Sequence, residues 1–175
     1  PYFEVPGYPS EGDDDFARYR AIVRSVDAQI ARFVEGLKAL GMWKNTILVV
    51  TSDHGEEFGE HGGRFHGKTL YEEMTRVPLV IRIPNVAGRQ VKTPIGQMDI
   101  APTILGLLGL PVPASFKGHN HAQALKAGTD VEAKPVVLEV LPDSNYGGHL
   151  IAVRAGQYKV VYHLRNHFFE VYDLA

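Results

Sequence analysis

An aspartate and a histidine stand side by side at Asp53-His54, directly after the apolar run Thr46-Ile47-Leu48-Val49-Val50. The run reads as a buried parallel strand, so both side chains sit at its carboxyl end, where open α/β sheets place their active sites. A carboxylate beside an imidazole suits a divalent cation, and an oxygen-rich sphere favours Ca2+, with Mn2+ and Zn2+ as alternatives. His66 and Lys68 follow at short range. They add two donors or positive charges within reach of an oxyanion held at that metal. One short segment thus carries metal, acid–base and anion-binding chemistry. The plain alternative is a turn-capping aspartate and solvated loop side chains; the strand ahead of Asp53 favours the chemical reading.

Several neighbours are candidates for support. Glu56 and Glu57 could orient His54 from behind. Arg76 is expected to pair with Glu72 or Glu73, and His61 to have a structural role in its glycine-flanked loop. His119 and His121 alternate like a zinc pair, but no carboxylate or cysteine lies near them in sequence, so they are not assigned as ligands. His149, His163 and His167 fall in a region of short strands, where at most one is expected to rim the substrate pocket.

The elements that position these residues follow from periodicity. Apolar residues at Tyr19, Ile22, Val23, Val26, Ile30, Phe33, Val34, Leu37 and Leu40 recur every three or four positions. This predicts an amphipathic helix over about 14–40, opened by Asp13-Asp14-Asp15 and stopped by Gly41. Thr46–Ser52 and Val77–Ile83 read as neighbouring strands of a mostly parallel sheet, and 55–67 as a loop. Asp99 is placed to cap a short helix through Leu108, and one helical turn is expected near 122–126. From 136 onward the pattern changes to four short strand candidates at 136–141, 150–154, 158–163 and 168–172. Turn signals separate them, which implies an antiparallel sheet. The expected division is an α/β part over 1–135 and an antiparallel subdomain over 136–175.

Composition sets outer bounds. The chain has 175 residues, 45% hydrophobic and 22% charged, with a formal net charge of −2. That is enough for one ordinary core, and it gives no bulk electrostatic case for nucleic acid or anionic membrane. With no cysteine, neither a disulfide nor a thiolate metal site can form within the chain. No apolar run is long enough for a membrane-spanning helix. The start at Pro1 reads as a cut end, and the compartment is left open.

The ordered matches resemble the sulfatase family of the alkaline-phosphatase superfamily. Asn45 through Glu56 looks like its second metal-binding segment. Phe58-Gly59-Glu60-His61-Gly62 and His66-Gly67-Lys68-Thr69-Leu70-Tyr71-Glu72-Glu73 are similar to its following substrate loop. Arg76–Ile81, Gln97–Leu105, Val153–Lys159 and Glu170–Leu174 resemble later segments. The resemblance implies a partial alkaline-phosphatase-like α/β fold with flanking helices, plus the small C-terminal antiparallel sheet. It implies a metal-dependent hydrolase of sulfate monoesters, with a small anionic ester as substrate. His66 would then serve the leaving oxygen, and Lys68 would bind sulfate oxygens. The formylglycine nucleophile and further acidic ligands are expected in an N-terminal part that nothing here resembles. The chain alone is therefore expected to be inactive. A complementary N-terminal segment or a second copy should cover its exposed apolar surface. Two other readings stay open: a phosphate or phosphonate ester hydrolase or phosphoethanolamine transferase of the same superfamily, and a non-catalytic folded piece.

Overall fold

The computed structural model describes residues 2–142 and 147–175. Pro1 lies outside them. The long helix α1 spans Asp15–Ala39, and Asp14 caps it, accepting a hydrogen bond from the Ala17 amide at 2.7 Å. Gly41 ends it at φ +69°, a left-handed conformation that glycine adopts without a Cβ clash. Within the helix only Ala21, beside the apolar stripe, and Leu37, on it, are buried, while Val23, Val26 and Phe33 each leave roughly half of their surface in solvent.

Strand β1 (Leu48–Thr51) carries the chain to the metal-type turn. Strands β2 (Glu57–Phe58) and β3 (Arg64–Phe65) then form a two-rung hairpin inside the segment expected to be only loop. A single helical turn, α2 (Glu72–Thr75), precedes β4 (Leu79–Arg82). β1 and β4 are neighbours, as expected, but they are antiparallel, with Leu48 opposite Arg82 and Thr51 opposite Leu79. The expectation of a mostly parallel sheet is thus corrected for this pair. A parallel pair needs a crossover over the sheet face, usually a full helix. The link from β1 to β4 holds only the hairpin and α2, so the chain turns back on itself.

After β4 come α3 (Ile100–Leu107) and α4 (Ala122–Ala127), packed on each other. Asp99 does not cap α3 with its side chain. It is buried instead, accepting from the Gly96 and His119 amides at 3.1 and 2.6 Å and meeting the His121 ring at 3.2 Å. Gly118 passes so close that a Cβ there would lie 2.0 Å from the Met98 carbonyl oxygen. His119 and His121 therefore belong to a structural knot, and the carboxylate they lacked in sequence arrives through space.

The chain finishes in the antiparallel sheet β5-β6-β7-β8, of strands Val136–Val140, Leu150–Ala155, Tyr158–His163 and Phe168–Asp173. One face buries Leu150, Ala152 and Val161 against Leu70, with Leu138, Val140 and Tyr172 alongside. The other presents a row across all four strands, Val137, Val153, Val160 and Val171. Val137 and Val171 are well over half exposed. Contiguous apolar surface of this kind usually marks a contact face. The isolated chain is expected to bind an apolar reporter dye or to self-associate. A clean monomer by light scattering that leaves the dye dark would contradict this.

The sheet is tied to the α/β part through Glu72. Its carboxylate accepts from Arg154 Nη1 at 2.6 Å and from Lys159 Nζ at 2.9 Å; the same ammonium donates to Thr75 Oγ1 at 2.8 Å. Burial pushes the Lys159 ammonium below its ordinary pKa, and Glu72 pulls it back up. The pairing expected between Arg76 and Glu72 or Glu73 is not formed: Glu72 takes these two distant cations and Glu73 takes His61.

Candidate metal centre and active site

β1 and the turn after it deliver Asp53 and His54 to the surface, with the Asp53 carboxylate 88% exposed. The backbone of the turn is held from two sides. Gln97 Nε2 donates to the Ser52 and Asp53 carbonyls at 2.8 and 2.9 Å. The Gly55 amide donates to the Met74 carbonyl at 2.8 Å. A Cβ at Gly55 would sit 1.8 Å from the Glu73 carbonyl oxygen, so only glycine permits this approach.

The His54 ring is set by its own neighbour: Nδ1 donates to the Gly55 carbonyl at 2.8 Å. A carbonyl can only accept, so Nδ1 carries a hydrogen, and in the neutral ring Nε2 is the nitrogen with the lone pair. That Nε2 lies 3.7 Å from Asp53 Oδ2. A free imidazole nitrogen and a solvent-facing carboxylate oxygen at this spacing fit one divalent cation. Neither Glu56 nor Glu57 orients His54, contrary to expectation. Glu56 faces His66, with its oxygens 3.2 and 3.3 Å from Nδ1, and Glu57 turns inward to accept from Thr69 Oγ1 at 2.9 Å.

His66 comes to the site by stacking. Its ring centroid is 4.4 Å from that of His54, with the planes inclined at 26°. Asp53, His54 and His66 are thus brought together. Lys68 is exposed and forms no hydrogen bond or ion pair among the described residues. It is absent from the walls of the cavity of about 320 Å3 that Asp53 and His54 line with Thr69, Gln97 and Glu139. His61 is structural, bonded to Glu73 at 2.5 Å and stacked 4.0 Å from Tyr71. Gln97 is the supporting residue that periodicity missed, because its two bonds run to backbone carbonyls more than 40 positions away. Among the described residues no cluster of three or more His, Cys, Asp or Glu gathers to hold a metal.

A family model described as sulfatase matches residues 4–110, and one described as the C-terminal region of N-sulphoglucosamine sulphohydrolase matches 59–175. The chain is 30% identical over 162 residues to an ulvan-active sulfatase of Formosa agariphila, covering 87% of this chain and 31% of that protein. It is 41% identical over 102 residues to an N-acetylglucosamine-6-O-sulfatase of Bacteroides thetaiotaomicron, covering 57% and 18%. Among solved structures, one in complex with its substrate D-glucosamine-2-N,6-O-disulfate matches with TM-score 0.79 at 30% identity, covering 90% of this chain and 33% of that one. A phosphonate monoester hydrolase of Agrobacterium radiobacter matches with TM-score 0.78 at 29% identity, covering 90% and 34%. The chain spans about a third of the length of the ulvan-active sulfatase and of these two structures. With a sulfatase model matched over more than half of its residues, and the Asp53-His54 turn inside the matched span, the chain belongs to the sulfatase family.

Proposed function

We propose that these residues form half of the metal centre, and the leaving-group side, of an enzyme that hydrolyses sulfate monoesters. The observation that carries this is the His54 ring, held by the Gly55 carbonyl through Nδ1 so that Nε2 lies beside the Asp53 carboxylate, 3.7 Å from Oδ2. Asp53 and His54 would hold a divalent cation, Ca2+ before Mn2+ or Zn2+. The remaining ligands and the family's formylglycine nucleophile would come from outside these 175 residues. When bound, the cation supplies polarisation of the ester's anionic oxygens. The chain's own side chains do the rest. Gln97 fixes the backbone of the turn. Glu56 occupies His66 Nδ1, which leaves Nε2 as the nitrogen that hands a proton to the departing oxygen. Lys68, exposed on the same loop, closes onto the sulfate as a point charge. Either a second copy or the remainder of the sulfatase fold would cover the apolar faces of α1 and the C-terminal sheet.

Two ligands hold a cation poorly, since a divalent site usually needs at least four, water included. The 175-residue chain is therefore expected to bind Ca2+ weakly, and tight stoichiometric binding by calorimetry would contradict the half-site. In the complete enzyme, His66→Ala should slow esters with poor leaving groups far more than those with good ones, because only the former need protonation. Lys68→Ala should raise KM and relieve inhibition by inorganic sulfate. Equal damage to good and poor leaving groups would remove the acid role from His66.

A second reading is hydrolysis of phosphonate or phosphate monoesters. It is supported by the Agrobacterium radiobacter structure and by a phosphonate monoester hydrolase of Silicibacter pomeroyi, with TM-score 0.76 at 25% identity, covering 90% of this chain and 34% of that one. Phosphoethanolamine transfer is its variant. Comparing kcat/KM for an aryl sulfate and the matching aryl phosphonate separates the two readings. The first expects the sulfate to be preferred.

A further inference from the structure

Beside the reacting loop lies a second cavity, of about 200 Å3, that the chemistry above does not use. Its walls are aromatic. Tyr2, Phe16, Phe58 and Phe65 line it, with Phe16 and Phe58 in edge contact at 5.1 Å and Tyr2 within 6.5 Å of both Phe58 and Phe65. Ring clusters of this kind are ordinary cores. The carboxylate in the wall is not ordinary. Glu57 is 2% exposed; Thr69 satisfies Oε1, while Oε2 is buried with no hydrogen-bond partner, as is the hydroxyl of Tyr2 in the same wall. The fold makes room for this group: a Cβ at Gly63 would lie 2.7 Å from Oε2 and 2.8 Å from Oε1. A buried carboxylate oxygen without a donor is unfavourable, and it is retained where something supplies the donor.

The other charged groups around the cavity are already engaged or peripheral. Asp14 Oδ1 caps α1, and Asp15 leans toward Arg18 at 3.6 Å. Arg64 is exposed and is the one cation among the lining residues. Three carboxylates, Asp14, Asp15 and Glu57, against Arg64 in the lining and Arg18 beside Asp15 leave a formal charge of −1. Aromatic faces and a carboxylate together favour a weakly hydrated cation. The open acceptor on Glu57 further calls for N–H donors, which a quaternary ammonium lacks.

We propose that this cavity binds a small cationic group bearing N–H donors, a guanidinium or primary ammonium, through Glu57 Oε2 and the rings of Tyr2, Phe58 and Phe65. Because β2 carries Glu57 beside Glu56, and β3 carries Phe65 beside His66, the site adjoins the residues assigned to the leaving group. The cation is either a free ligand or a substituent on the ester, and both present the same group to Glu57.

The test is titration of the protein with methylguanidinium, followed by calorimetry and ligand-observed NMR. The controls are N-methylurea, which has the donors without the charge, and tetramethylammonium, which has the charge without donors. Binding with Kd of about 1 mM or tighter is expected for methylguanidinium, with both controls at least tenfold weaker. Glu57→Gln keeps the acceptor for Thr69 but places an amide where Oε2 was, and it should abolish the preference. Arg64→Ala should tighten binding by removing a competing charge. Equal affinity for N-methylurea, or unchanged binding by Glu57→Gln, would overturn the proposal. So would absence of methylguanidinium binding in the unsubstituted protein with its appearance in Arg64→Ala, because Arg64 would then be the occupant. If methylguanidinium bound here alters turnover, by the complete enzyme, of a sulfate ester whose leaving group is uncharged, the ligand is a free one; if an ester bearing a guanidinium on its leaving group shows a lower KM that Glu57→Gln cancels, it is a substituent. Turnover unresponsive to both would contradict the placement beside the leaving group.

Discussion

Asp53→Ala is expected to lower turnover of an aryl sulfate by the complete enzyme by about 10²–10³-fold or more, the scale seen when a preorganised group facing developing charge is removed. Metal affinity should fall with it. The fold should not. The Asp53 carboxylate is 88% exposed; its contacts within the chain are a 3.1 Å bond to the next amide and the 3.7 Å approach to His54. Truncating such a side chain usually moves stability by no more than about 0.5 kcal/mol. Loss of rate and of metal affinity, with the melting temperature of the metal-free protein unchanged, is therefore the signature of a metal ligand. His119→Ala is the matched control: it removes another exposed side chain but keeps the amide that bonds Asp99, and it should leave kinetics near those of the parent. If His119→Ala were as damaging as Asp53→Ala, the metal centre would have been placed wrongly.

Glu72→Ala should show the reverse pattern, with a large loss of stability on the order of 3 kcal/mol in urea unfolding. Breaking a buried pair leaves its partner uncompensated, at a typical cost of about 3–5 kcal/mol. Lys159 is that partner: its side chain is 2% exposed, and Thr75 alone would remain to receive it. Glu72→Gln keeps an acceptor but no charge and should fall between. Lys159→Met removes the buried ammonium while leaving Glu72 to Arg154, so it should cost far less than Glu72→Ala. Activity in the complete enzyme should follow, because α2 and Leu70 fasten the segment after His66 and Lys68 to the C-terminal sheet. If Glu72→Ala were no more costly than Lys159→Met, the pair would be a surface contact of little consequence.

These two residues also show what the sequence could and could not reveal. The placement of Asp53 and His54 in a turn just after β1 was legible because local pattern specifies it: an apolar run, then polar residues where the strand ends. α1 and the strands β5 to β8 were legible for the same reason, their periods of 3.6 and 2 being written in consecutive residues. The partners of Glu72 lie 82 and 87 positions away, so the nearer Arg76 looked the natural choice. Asp99 and His121 are likewise 22 positions apart. The sense of the β1–β4 pair depends on how their link travels, which the residues of the strands do not encode. The β2–β3 hairpin has only two residues per strand, too few for any alternation to register. The role of Glu57 escaped because a glutamate two positions from a metal-type histidine reads as its support. Only the structure shows it turned inward, away from His54.

In the proposed function, Asp53 and His54 hold a divalent cation required for sulfate ester hydrolysis. The most direct measurement is turnover of an aryl sulfate by the complete enzyme after chelation and again after Ca2+ is restored, for the parent and Asp53→Ala in parallel. The account predicts that chelation silences the parent, that Ca2+ restores it, and that Asp53→Ala stays silent throughout. A parent indifferent to chelation, or an Asp53→Ala variant that Ca2+ restores as fully, would contradict it.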